Sequence, residues 1–182
     1  MNTFDDLLKK AKKKNQPAMM EIYSIYSTDV YNSCLRIISN SFVAEEIMQD
    51  SFIKAFDNLH KFSGGQKELG NFIKKIAVNH SIDIYRKSKN EIFSSFSEIE
   101  NIDKYLNNYN EDDNEIIYNI DDVNNAINKL PDGYRLVLNL HIIEDMDFND
   151  IAKKLDIAAS TVRSQFVRAK SKLITILKED IA

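Results

Sequence analysis

The chain has 182 residues, room for one large or two small domains, and its 43% apolar and 29% charged content excludes a wholly disordered protein. Four glycines and two prolines argue against a turn-rich β-sandwich, and no apolar run nears the roughly 20 residues that span a bilayer. Asp5 and Asp6 stand where a secretory signal would be basic, and the single Cys34 can form no internal disulfide, so the expectation is an all-α, cytoplasmic protein with no membrane insertion.

The net charge of -4 is unevenly spread. Residues 1–90 hold 14 Lys and Arg against 10 Asp and Glu, residues 91–128 hold one Lys against 10 acids, and residues 129–182 hold 9 basic against 8 acidic residues. The acidity therefore belongs to one middle segment, and the whole-chain charge says little about whether either flank binds nucleic acid. The same segment, Glu98 to Asn114 above all, lacks a helical apolar stripe and reads as a solvated spacer. Two small helical domains joined by an acidic flexible linker is the expected architecture.

In chain order, Phe4, Leu7, Leu8 and Ala11 fall at helical spacing, and Lys12-Lys13-Lys14 and Pro17 end that helix. A second pattern runs from about Ala18 to Ser39, with Cys34 read as a small core residue rather than a reactive thiol. A third, about Val43 to Leu59, buries Ala44, Ile47, Met48, Phe52, Ala55, Phe56 and Leu59. Its opposite side carries Glu45, Glu46, Gln49 and Asp50. Such a stripe is either a solvated face or an acidic docking surface for a basic partner helix. Ser63-Gly64-Gly65 makes a turn.

A fourth helix, about Leu69 to Lys87, is expected to point Phe72, Ile73, Ile76, Ala77, His80 and Ile84 inward. Its other faces present Lys74, Lys75, Asn79, Asp83, Arg86 and Lys87, with Tyr85 as an aromatic neighbour. Cations, an amide and an aromatic ring are the mixture that tracks a phosphate backbone and stacks on bases. The scattered His60, His80 and His141 have no partners at ligand spacing. No phosphate loop, nucleophile elbow or carboxylate pair is present, so neither an active site, a metal centre nor a cofactor is expected.

The C-terminal part is more specific. A helical turn near Ile120–Leu130 leads to a helix opened by Leu130-Pro131-Asp132-Gly133, with Pro131 in its first turn, and Glu144 to Asp147 break it. A short helix (Phe148, Ile151, Ala152, Leu155), the turn Asp156-Ile157-Ala158 and a long helix capped near Ser160 follow. This is helix-turn-helix spacing. The second helix carries Thr161, Arg163, Ser164, Val167 and Arg168 on its first exposed turns, with Lys170 further along. Arg can fork onto guanine, Ser and Thr can bond bases or phosphates, and Val can meet a thymine methyl.

The stretches AEEIMQDSFIKAFDNLHKF, NFIKKIAVNHSIDIYRK and LPDGYRLVLNLHIIEDMDFNDIAKKLDIAASTVRSQFVRAKSKL, in that order, resemble bacterial RNA polymerase sigma factors of the extracytoplasmic-function (ECF) group. The resemblance implies a region 2 domain over residues 1–89, a linker over 90–120 and a region 4 helix-turn-helix domain over 121–182. It implies that Glu45, Glu46, Gln49 and Asp50 dock on the polymerase. Phe72, Lys74, Lys75, Asn79, Asp83, Arg86 and Lys87 would hold the non-template strand of the -10 element, with the turn from Phe62 to Gly70 near a captured base. Ser160, Thr161, Arg163, Ser164, Val167, Arg168 and Lys170 would read the -35 element. The implied partners are core RNA polymerase (its β′ clamp coiled coil and β flap), promoter DNA and, commonly in that family, an anti-sigma factor. The linker would thread toward the polymerase cleft. Two departures stand out: Phe72 replaces the usual Trp, and Asp156 replaces the common glycine of the region 4 turn. The competing readings are a stand-alone dimeric helix-turn-helix regulator and a purely structural helical protein.

Overall fold

The computed structural model describes residues 3–89 and 119–180, and the chain divides into two compact units, Met1–Ser88 and Lys89–Ala182. The expected linker core, residues 90–118, lies outside the described residues. All regular elements among the described residues are helical.

In the first unit, α1 (Phe4–Lys12) begins with Asp5 and Asp6 and ends with Lys9, Lys10 and Lys12, each charge matched to the helix dipole. Lys14 adopts a positive φ of 60°, and the Asn15 side chain then accepts the Ala18 amide at 3.1 Å to cap α2 (Gln16–Ile38). Ser39 closes α2 in the left-handed region, and Asn40 accepts the Val43 amide to open α3 (Ser41–Asn58). A short 3-10 turn, Leu59–Lys61, leads toward α4 (Gln66–Lys89). Lys12 anchors that connection by donating from Nζ to the Phe62 carbonyl at 2.7 Å.

The four helices share one core. Leu7 and Ala11 of α1, Ile22, Val30 and Cys34 of α2, Ile47 and Phe52 of α3, and Leu69, Ile73 and Ala77 of α4 all contribute to it. Each fully buried Ile or Phe of this kind stabilises the fold by about 1.5–3 kcal/mol. Cys34 is completely buried, as the core reading of that thiol expected.

The inward face of α4 differs from the sequence expectation. Leu69, Ile73, Ala77, Val78, Ser81, Ile82 and Tyr85 are the buried residues, whereas Phe72, Ile76, His80 and Ile84 are half-buried. Four-residue steps advance 400°, so a run of them drifts about 40° per step around a helix, and the 72-76-80-84 series slides to the margin. Tyr85, read as an exposed stacking ring, is only 6% exposed and is not offered to a base.

In the second unit, α5 (Ile120–Asn128) lies where a helical turn near Ile120–Leu130 is expected and starts at the last residue assigned to the linker. Its reciprocal capping box explains why: Asn119 accepts the Asp122 amide at 2.8 Å while Asp122 accepts the Asn119 amide. Next come α6 (Asp132–Leu138), a π-helical segment Asn139–Ile143, α7 (Phe148–Leu155) and α8 (Ala159–Glu179). Pro131 is the N-cap of α6, with ψ 144°, rather than a residue of its first turn. The long α8 packs against α5, α6 and α7, and Ala126, Leu130, Leu138, Ala169, Ile176 and Leu177 form one core cluster. Lys129 holds both oxygens of Asp180 at 2.7 and 2.8 Å, tying the start of the unit to the end of α8.

Candidate nucleic-acid and polymerase interface

Three surfaces carry the residues singled out from the sequence. On α3, Glu45, Glu46, Gln49 and Asp50 are all exposed, and Gln49 donates to Glu45 at 3.3 Å along the helix. Two large apolar residues join them. Phe42 is 84% exposed and Ile53 60% exposed. With Glu46 and Gln49 they occupy positions i, i+4, i+7 and i+11, one continuous stripe about 16 Å long. The outward face of α3 is therefore acidic in its middle and apolar at both ends. The helix expected from the sequence starts at about Val43, after Phe42, with Ile53 assigned to neither its buried face nor its acidic stripe. Their place on the polar stripe was the available signal.

The second surface lies on α4. Lys75, Asn79, Asp83 and Arg86 follow one another along one side, and Arg86 reaches Asp83 at 3.5 Å in an exposed pair of little energetic weight. Lys87 is exposed beyond them. Phe72 neighbours this stripe and packs on Phe62 with ring centroids 5.4 Å apart. The two rings line an open cleft of about 520 Å³ with Asn58, Lys61, Ser63 and Ile76. Lys74 does not belong to the stripe: it projects toward α2 instead. The seven residues taken together from the sequence thus divide between two sides of the helix.

His80 sits half-buried beside this stripe. Burial, reinforced by the nearby Lys54 charge, lowers its pKa below the ordinary histidine value, partly opposed by Asp50 and Asp83. The neutral ring is the favoured form.

The third surface is the α7–α8 pair. The Asp147 carboxylate accepts the Asn149 and Asp150 amides at 2.8 and 2.9 Å, capping α7, and those bonds hold its pKa below the usual Asp value. Asp156 ends α7 at φ 58°, ψ 45°, the left-handed conformation that a helix-turn-helix bend requires, and Ile157 donates back to the Ala152 carbonyl. His141 fixes the pair from behind. Its ring stacks on Phe148 at 4.2 Å and meets Phe166 edge-on at 4.8 Å, and its Nδ1 lies 2.8 Å from the Met146 carbonyl oxygen.

Along α8, Ser160, Arg163 and Lys170 are exposed, while Thr161, Ser164, Val167 and Arg168 are partly covered. Ser160 is not the cap: Ala158 holds that position without a side-chain bond, which leaves the Ser160 hydroxyl outward. Ser164 is partly occupied, donating to the carbonyls of Ser160 and Thr161. Gln165, unremarked in the sequence, is buried beside Val162 and Ala169.

Among the described residues no group of three or more His, Cys, Asp or Glu side chains could hold a metal ion, and no helix is long and apolar enough to cross a membrane.

Comparison with known proteins adds the following. Residues 22–91 match the family described as Sigma-70 region 2, and residues 120–173 match Sigma-70, region 4. The ECF RNA polymerase sigma factor SigW of Bacillus subtilis is 28% identical over 179 residues, covering 94% of this chain and 95% of that protein. The ECF RNA polymerase sigma factor SigM of the same organism is 25% identical over 154 residues, covering 84% and 91%. A solved structure of the sigma factor RpoE of Bartonella quintana, in complex with the anti-sigma factor NepR, aligns at 21% identity and TM-score 0.49 over 87% of this chain and 96% of that one.

Proposed function

The chain belongs to the sigma-70 family, in its extracytoplasmic-function group, and from that premise we propose that it binds core RNA polymerase and directs it to promoters with defined -10 and -35 elements. The observation that carries this reading is the ordered pair of family regions on one chain, each bearing an exposed face of suitable chemistry.

The division of labour follows from the surfaces. The first unit docks through the α3 stripe, whose Glu45, Glu46 and Asp50 complement a basic helical partner such as the β′ clamp coiled coil, with Phe42 and Ile53 as apolar contacts at either end. Its α4 stripe of Lys75, Asn79, Asp83 and Arg86 holds the displaced -10 strand, and the Phe62–Phe72 cleft receives an unstacked base. The second unit lays α8 in the major groove of the -35 element, where Arg163 is the most accessible side chain able to fork onto guanine. The acidic residues between the units act as the connector.

Unpairing a few A·T-rich steps costs a few kcal/mol and is offset by strand capture and polymerase contacts, so the work needs no catalytic residue of this chain's own. It takes place where core polymerase is, in the cytoplasm. The stand-alone dimeric regulator is not favoured: it accounts for α7–α8 but gives no reason for the region 2 match over residues 22–91.

The test is binding of the purified chain to bacterial core polymerase, wild type against Glu46→Arg/Gln49→Ala/Asp50→Arg. Saturable binding that the triple substitution abolishes supports the reading, and run-off transcription then identifies promoters. No binding by the wild type to a competent, matched core enzyme would sink it.

A further inference from the structure

The end of α1 carries lysines that the proposed function does not use. Lys9, Lys10, Lys12, Lys13 and Lys14 crowd the last turn of that helix and the residues after it, whereas Asp5 and Asp6 lie in its first turn. Cations there complement the helix dipole, but the dipole does not account for what they stand beside. Lys9, Lys12 and Lys13 share one face at i, i+3 and i+4, about 6 Å of helix axis. Lys12 joins that face to the loop before α4, its Nζ donating to the Phe62 carbonyl at 2.7 Å.

Phe62 is one wall of the cleft assigned above to an unstacked base, so the basic end of α1 is bonded to the lip of that cleft. Lys61, next to Phe62 in the chain, lines the cleft itself. None of the lining residues is acidic. Glu68, in the first turn of α4, is turned onto the Gly65 amide at 3.1 Å. Lys9, Lys13 and Lys61 are exposed and make no ion pair among the described residues.

The arrangement selects its partner. These ammonium groups are strung along a helix end and a loop rather than gathered in a pocket, which suits a chain of anions and not one small anion. Lysine is a point charge on a flexible stem, able to neutralise successive phosphates without reading sequence. No large apolar side chain of α1 is exposed, so this surface lacks the apolar centre of a protein interface.

We propose that Lys9 and Lys13 of α1, with Lys61, form a phosphate track that takes up the backbone of the single strand beside the base held between Phe62 and Phe72. The proposal rests on the strand-holding reading and extends the strand's contacts from α4, through the cleft, to α1. Lys12 serves as the anchor that sets the track against the cleft.

The experiment uses the full chain and a fluorescein-labelled A·T-rich 12-nucleotide single strand, followed by anisotropy from low salt upward. The variants are Lys9→Gln/Lys13→Gln for the track, Lys9→Arg/Lys13→Arg as its charge-keeping counterpart, Lys75→Gln/Lys87→Gln for α4 and Lys172→Gln/Lys178→Gln as an equal charge change on α8. Lys12 is left in place because its bond to Phe62 is structural, and thermal melts establish that each variant is folded. The Gln variant of the track is expected to lower the salt slope by about 1.4, the share of two phosphate contacts on a single strand. The Arg variant and the α8 variant are expected to keep the wild-type slope. A track variant that matches wild type, while the α4 variant lowers the slope, overturns the track and leaves the strand reading standing. An equal fall in the track and α8 variants also overturns it, since net charge alone would then act. So does a track variant that keeps the strand slope but loses binding to vesicles of phosphatidylserine and phosphatidylcholine, which would make the surface a lipid contact. A wild type that does not bind the strand at low salt overturns both readings.

Discussion

Phe72 packs on Phe62 at 5.4 Å between ring centroids, so the aromatic replacing the family's usual Trp is held by a second ring across the turn that opens α4. The pair makes one wall of the cleft assigned to an unstacked base. Phe72→Ala is expected to reduce open-complex formation by about fivefold or more, since aromatic–base stacking is worth about 1–3 kcal/mol. Phe72→Trp is expected to equal or exceed wild type. Fluorescence of 2-aminopurine in the -10 element reads both, and undiminished melting by Phe72→Ala would remove this cleft from strand capture.

Phe42 and Ile53 lie at the two ends of the acidic α3 stripe, exposed where neither serves the core. Phe42→Ser/Ile53→Ser is expected to leave the melting temperature within a degree or two and to weaken core polymerase binding at least fivefold, about 1 kcal/mol, as for apolar contacts buried at an interface. Surface plasmon resonance on immobilised core enzyme measures it. Equal affinity would restrict docking to the charged residues.

Arg163 and Arg168 stand five residues apart on α8 but differ in exposure. Arg163→Ala is expected to cost about 1–3 kcal/mol in -35 binding and to relax sequence preference at one base pair, because a direct base contact specifies as well as attracts. Binding to a randomised -35 library in the presence of core polymerase separates the two effects. A uniform loss across all sequences would make Arg163 a phosphate contact.

Asp156 holds a left-handed conformation that costs an ordinary residue about 1–2 kcal/mol, less for Asp. Asp156→Gly relieves that strain, offset by the greater freedom of glycine in the unfolded chain. The expectation is a net gain below about 1 kcal/mol, seen as a small rise in the melting temperature of the second unit. A fall would show that the aspartate side chain contributes a bond that outweighs its backbone cost.

His80 has a folded-state pKa below its unfolded value because burial and Lys54 disfavour the imidazolium. The unfolded chain therefore binds the proton first. Stability from the neutral ring is present above about pH 6.5 and declines as the pH falls from there toward the folded pKa. An NMR titration is expected to give a His80 midpoint below 6.5, and His80→Gln should flatten the acid limb of the first unit's stability curve. A midpoint at or above 6.5 would contradict this.

The residues that sequence determined by itself are those whose role follows from local chemistry. The 148-151-152-155 apolar spacing specifies the buried face of α7 through periodicity within a few residues, whereas Asn15 and Asp147 cap α2 and α7 by equally local bonds that the sequence analysis does not single out. The acidic middle of α3 was legible for the same reason: Glu45, Glu46, Gln49 and Asp50 share a side of any helix they form. What required tertiary structure was which helix faces meet. Lys74 and Lys75 are neighbours in sequence, yet a 100° turn sends one toward α2 and leaves the other on the side of α4 that carries Asn79, Asp83 and Arg86. Tyr85 has the composition of a stacking residue and is buried, and Phe42 and Ile53 have the composition of core and are exposed. Side-chain chemistry sets what a residue can do, but burial depends on partners distant in the chain, and no local pattern specifies those.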